Sequence, residues 1–363
     1  MRIFLAILLF LACLFPSLSS GQNRSLDNLE IEVTHGLGFV LPEYQFVNLI
    51  TEDFTYNYEL SIRKNTYGKD GWQELYHYPS YGLRFIHSTL GNDEVLGKLW
   101  GVYPYFQFVV LNFNRFKIYN QFGLGYSRVN RKYDLEDNYL NVAVGSYGNI
   151  HFNTRFIANY QLFDRLNLNT SISFDHFSNG NTAEPNLGIN YVSWMSGLSY
   201  AIGQQSEKKM PGIPEKDGYL EQEIVLSIGG KHSRALASTF YRTHSFSYEV
   251  RKQTFRALHL GLGADIFYDS SVKDQLEKDG KDFQPINRFQ SGIHFSQTIV
   301  YNRFSLTFQE GIYLGLTEKV NNYFMYNRGI AKYKLTDKLT FRFVMKSHLY
   351  ILDYPEFGLG LIL

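Results

Sequence analysis

The 363-residue chain holds one cysteine and nine prolines. Cys13 sits near the start, so the chain beyond it has no thiol for a disulfide, a Cys-ligated zinc or a cysteine nucleophile. Charge of one sign is lacking too: 35 Lys and Arg stand against 34 Asp and Glu, a net charge of +1. No whole-protein field therefore draws the chain to nucleic acid. Beyond residue 20 no apolar run reaches the roughly 18 residues that a membrane helix needs, which excludes a helical membrane bundle. What the sequence has in quantity is 28 Tyr, 30 Phe and 30 Gly. In alternating polar strings these residues mark β structure, and at this density they point to an outer-membrane barrel.

Met1-Arg2 supplies a positive charge, Ile3 to Phe15 an apolar core, and Ser17 to Gly21 a small-residue exit. That order describes a secretory signal peptide over residues 1–21. The remainder reads as period-2 segments between turn residues. The first half gives Tyr58–Lys64, Tyr81–His87, Val102–Val110, Phe116–Arg128, Ile150–Leu162, Leu166–Ser178 and Asn190–Gly203. The second half gives Leu220–Gly229, Ala237–Arg251, Ala257–Tyr268, Phe289–Tyr301, Phe304–Leu316, Phe324–Leu335, Leu339–Tyr350 and Phe357–Leu363. No stretch keeps helical periodicity over three turns.

An internal repeat divides the chain. Ala158–Leu166 resembles Ala331–Leu339, Arg115-Phe116 with Gln121 and Gly123 resembles Arg303-Phe304 with Gln309 and Gly311, and Tyr58-Glu59 resembles Tyr248-Glu249. The three markers occur in the same order in both halves. Residues 22–203 and 219–363 therefore read as two tandem all-β barrels of about eight strands each, joined by a linker over 204–218. One larger barrel of about 12–16 strands is the alternative.

Leu166–Tyr200 is the most informative segment. Strand alternation puts His176 and Ser178 on the apolar, lipid-facing row of the first strand, and Asp175 on the lumenal row. It puts Asn190 on the matching row of the return strand. With a hairpin centred on Glu184, Ser178 lies opposite Asn190 and His176 lies diagonal to it, all within side-chain reach. Three polar residues then converge at the end of a greasy surface, which barrel architecture does not require.

His176-Phe177-Ser178-Asn179-Gly180, followed by Pro185-Asn186-Leu187-Gly188-Ile189-Asn190, resembles the PagL-type lipid A 3-O-deacylases and the broader acyloxyacyl hydrolase family. The resemblance lies in the first half only. It implies an eight-stranded outer-membrane barrel and a serine hydrolase site on its lipid-facing surface. Ser178 is then the nucleophile, His176 the general base, and Asn179 and Gly180 candidates for the oxyanion hole. Asn190 stands where the best-known members carry Glu; it can orient an imidazole but not stabilise its charged form. Glu184 and Asp175 reach that place only with distortion. The implied partner is lipid A, as lipopolysaccharide, or another acyl-ester lipid, with no cofactor and no metal.

The second half lacks the site: His348 falls on the lumenal row with Arg342 and Lys346, and no Ser follows it. The expected function is an outer-membrane serine esterase that removes an ester-linked acyl chain from lipid A. The alternative is a non-enzymatic barrel, whether structural, lipid-binding or a narrow pore. His77, His87, His151, His259 and His294 read as interfacial or lumenal. Asp134, Glu136 and Asp137 read as a solvated loop in preference to a cation site.

Overall fold

A computed structural model describes residues 26–41, 45–216, 218–233, 239–315, 324–348 and 351–363. The expected signal peptide and Cys13 lie outside the described residues.

The first eight strands are β1 (Leu29–Leu41), β2 (Thr55–Asn65), β3 (Ser80–Thr89), β4 (Lys98–Phe113), β5 (Phe116–Val129), β6 (Gly148–Gln161), β7 (Leu166–Ser178) and β8 (Ile189–Ile202). Each pairs antiparallel with the next, and β8 closes on β1. The next eight are β9 (Leu220–His232), β10 (Phe240–Phe255), β11 (Leu258–Asp269), β12 (Phe289–Tyr301), β13 (Phe304–Leu314), β14 (Met325–Lys334), β15 (Leu339–His348) and β16 (Ile351–Ile362). They form a second closed barrel, with β16 on β9. Two closures replace the single larger barrel. Alternation did not single out β1, whose row is interrupted by Gly36 and Gly38. Helices α1 (Gln45–Ile50), α2 (Gly71–Leu75) and α3 (Val272–Lys278) lie in the loops, and all are under two turns long.

The repeat markers fall on equivalent strands. Glu59 and Glu249 lie on the second strand of each barrel, Gln121 and Gln309 on the fifth. In the first barrel, following paired positions from Leu29 through Lys64, Tyr81, Phe106, Phe122, Thr154, Phe174 and Val192 returns to β1 at Phe39. That ten-residue stagger, at about 3.3 Å per residue and about 4.8 Å between strands, tilts eight strands by about 40°.

Polarity is inverted relative to a water-soluble barrel. Phe156, Ile172 and Trp194 on the outer face are 61%, 59% and 65% exposed. Inside the first barrel, Glu59 accepts hydrogen bonds from Arg84 at 2.6 Å and from both terminal nitrogens of Arg155 at 2.9 and 2.7 Å. Inside the second, Glu223 binds Arg342 at 2.6 Å and Lys332 at 3.1 Å. Charges buried in the lumen pair with one another, and the apolar rows are left for lipid. Arg84, Arg155, Tyr103, Tyr105 and Tyr191 fill the first lumen, where the pore alternative needs water.

Both ends of the first barrel are elaborated. At the end remote from the linker, Leu90, Leu96, Val144, Phe177, Ile189 and Tyr191 belong to one buried apolar cluster. At the linker end the connecting chain is tied to the β2–β3 loop. Lys209 donates its N–H to the Tyr67 carbonyl at 2.7 Å, and the Gly212 N–H reaches Glu74 at 2.9 Å.

Candidate active site

Phe177 and Ile189 are directly paired across β7 and β8, and both are buried in the apolar cluster. Burying side chains of this size contributes about 1.5–3 kcal/mol each. Because strand side chains alternate, anchoring these two inward turns His176, Ser178 and Asn190 outward. This cluster, built from three loops distant in sequence, positions the site.

His176 lies directly opposite Asn190. The sequence-based register had placed Ser178 there and His176 on the diagonal. The difference is a slip of two residues, which leaves every side chain on its expected face. The cause is the β7–β8 loop: Asn179 Oδ1 accepts the Thr182 N–H at 3.0 Å and closes a turn earlier than a hairpin centred on Glu184 would. Ser178 pairs with Ile150 of β6 instead.

Asn190 Oδ1 is 2.6 Å from His176 Nδ1, and His176 Nε2 is 3.1 Å from Ser178 Oγ. A carbonyl oxygen only accepts, so Nδ1 carries the proton that it receives. In the neutral ring Nε2 is then the lone-pair nitrogen, facing the serine hydroxyl. Ser178 itself is 7% exposed. The row has the connectivity of a nucleophile, a base and an orienting residue.

The loop positions the remaining motif residues differently from expectation. Asn179 is buried and committed to the turn: its N–H donates to Asn186 Oδ1 at 2.9 Å and its side-chain amide to the Ala183 carbonyl at 2.9 Å. It organises the loop, and its backbone N–H is already taken by Asn186, which leaves Gly180 as the remaining oxyanion-hole candidate. Gly180 and Asn181 are consecutive left-handed residues, φ 66° and 64°. Sequence reasoning missed two residues. Asn186 braces Asn179. Gly188 has φ 76°, and a Cβ there would come within 3.0 Å of His176 Cε1. The motif spacing was the only available signal for either.

Neither spare carboxylate serves the imidazole. Asp175 points into the lumen, where His151 Nε2 lies 2.9 Å away and Asn153 donates at 2.8 Å. Glu184 sits half-buried in the loop beside His232, and burial raises its carboxyl above the ordinary value. His348 lies near Asp353 at 3.2 Å in the second barrel, on the row expected for it. Asp134 accepts the N–H groups of Glu136 and Asp137 within its own loop. Among the described residues no cluster of His, Cys, Asp or Glu is placed to hold a metal ion.

These features define a class: a pair of membrane-type β-barrels, one of which carries a Ser–His–Asn row on its outer face. A family model described as lipid A 3-O-deacylase (PagL) matches residues 56–199, and one described as acyloxyacyl hydrolase, C-terminal domain, matches 220–362. The chain belongs to this lipid A deacylase and acyloxyacyl hydrolase family. The likeness extends to the second half, beyond the first-half motif that suggested it. No curated protein matches the chain significantly. Among solved structures, Neisserial surface protein A is 9% identical with a TM-score of 0.33, covering 48% of this chain and 97% of its own. A mutant Rh. blastica porin is 9% identical with a TM-score of 0.18, covering 92% and 99%.

Proposed function

We propose that the protein is an outer-membrane serine esterase that removes an ester-linked acyl chain from lipid A. The observation that carries this is the hydrogen-bonded row Asn190–His176–Ser178 at the end of a lipid-facing strand. Ser178 Oγ attacks the ester carbonyl while His176 Nε2 takes its proton. The Gly180 N–H is the proposed donor to the oxyanion, an interaction worth about 3–4 kcal/mol beside hydrocarbon. Collapse of the tetrahedral intermediate passes the proton from His176 to the departing sugar alkoxide. Water, deprotonated by the same nitrogen, then releases the fatty acid and restores the serine.

The proposed placement rests on topology. With an even number of strands, both ends of the first barrel lie on one side of the membrane, taken as periplasmic, and the β7–β8 loop on the other. Ser178 then meets the outer leaflet, and an acyl chain arrives by lateral diffusion. Among its described residues the second barrel carries no such row, and in the sequence the repeat aligns His176 with Leu349 and Ser178 with Ile351.

The test is the mass spectrum of lipid A from cells carrying wild type or Ser178→Ala, with heat-modifiable gel mobility reporting the folded barrel. Wild-type cells should lose one acyl chain and Ser178→Ala cells should keep it. Equal loss in both would overturn the serine mechanism.

A further inference from the structure

Among its described residues the second barrel has no Ser–His–Asn row, yet its rim touches the loop of the first. His232, the last residue of β9, donates from Nε2 to the Thr182 carbonyl at 2.9 Å and from its backbone N–H to the Asn181 carbonyl at 3.3 Å. Asn181 Nδ2 in turn makes a long contact of 3.5 Å to the Asp353 carbonyl. The Pro355 ring lies against Gly180, where a Cβ would come within 3.3 Å of its Cγ and Cδ. Four contacts therefore meet the consecutive residues 180–182, which begin two places after the proposed nucleophile.

This rim is itself rigidly held. Asp353 is gripped by Lys231 at 2.7 Å, Lys346 at 2.8 Å and His348 at 3.2 Å, and Lys231 also binds Asp269 at 2.9 Å. At the opposite end the barrels touch again. Tyr76 donates to the Ala257 carbonyl at 3.0 Å, and the Phe106 ring stacks on Tyr301 and Phe304, each with centroids 5.3 Å away. Contacts at both ends hold the second rim in place against the first barrel.

Asn179 closes the turn from within, through the Thr182 N–H and hydroxyl, and the second barrel adds a hold from outside. A left-handed Asn is uncommon and costs of order 1 kcal/mol or more unless its surroundings hold it. Nothing about Gly180, which lacks a side chain, fixes the direction of its own N–H.

We infer that the second barrel completes the active site of the first, with His232 as a positioning residue that fixes the 180–182 turn and so aims the Gly180 N–H at the oxyanion. This rests on the serine-esterase reading above. His232 touches neither substrate nor reacting atoms; it acts through the turn. Geometry of this kind is felt in the rate of the chemical step and not in lipid binding.

The experiment uses the full chain in detergent micelles with lipopolysaccharide as substrate and fatty-acid release as readout. His232→Leu keeps bulk but loses the ring donor; kcat should fall about tenfold, with KM within about twofold. His232→Gln returns an N–H donor and should recover most of the lost kcat. Asn181→Gly relieves the backbone but removes the Asp353 contact, and should lower kcat in the same way; it serves as the test if His232→Leu does not fold. Wild-type kcat in His232→Leu, a change confined to KM, or no recovery in His232→Gln would each overturn the inference. Ser178→Ala separates the two readings. If it is inactive while His232→Leu matches wild type, only the positioning role fails. If Ser178→Ala is active, the serine reading itself fails.

Discussion

His176 Nδ1 and Asn190 Oδ1 lie 2.6 Å apart, on residues directly opposed in the β7–β8 ladder. The carbonyl holds the ring and selects its tautomer, but a neutral amide lends no charge to the imidazolium that forms during reaction. Asn190→Ala should therefore lower kcat about 100-fold through lost orientation. Asn190→Asp keeps the geometry and adds the charge, so its kcat should equal or exceed wild type. Fatty-acid release at saturating lipopolysaccharide reports both. An Asn190→Ala enzyme at full rate would show that the imidazole needs no orienting partner.

Gly188 explains why the motif has glycine at that position. A Cβ would approach His176 Cε1 at 3.0 Å and Ser178 Cβ at 3.3 Å, in a backbone conformation that L side chains rarely adopt. Gly188→Ala should cost about 1–3 kcal/mol of strain, relieved by pushing the imidazole off the serine. Activity should drop at least tenfold while the barrel still shows its heat-modifiable shift.

Glu59 is the centre of the first lumen. It receives Arg84, Arg155 and Thr34. Glu59→Ala leaves two buried guanidinium groups without that partner and should destabilise the barrel by about 3–5 kcal/mol. The urea midpoint for loss of the heat-modifiable band should fall accordingly. An unchanged midpoint would mean that the remaining lumenal carboxylates absorb both charges.

The connection between the barrels is held along part of its length only. Lys209 is bound to Tyr67 and Tyr78, and the Lys208 ammonium stacks over the Tyr78 ring at 4.5 Å. Lys216 is exposed. Trypsin should cut first after Lys216, giving two fragments that each keep a heat-modifiable shift because each barrel closes on itself. N-terminal sequencing of the fragments identifies the cut. Primary cleavage after Lys208 would mean that this anchoring does not persist in solution.

Much of this was legible in the residues alone, because side chains in a strand alternate regardless of the partner strand. His176 and Ser178, two apart, share a face in any register, and parity puts Asn190 on the matching row. The same alternation marked fifteen of the strands, and the ordered repeat implied two similar halves. Alternation counts faces, not partners. It did not decide between two closures and one, which depends on whether β8 finds β1 or β9. Nor did it reveal that Asn190 faces His176 squarely, since the register is set by the turn that Asn179 caps. The anchoring of Phe177 and Ile189 beside Leu90, Leu96 and Val144, and the contact of His232 with Thr182, join residues far apart in the chain. Only closure of both barrels, and their seating side by side, brings such residues within contact distance.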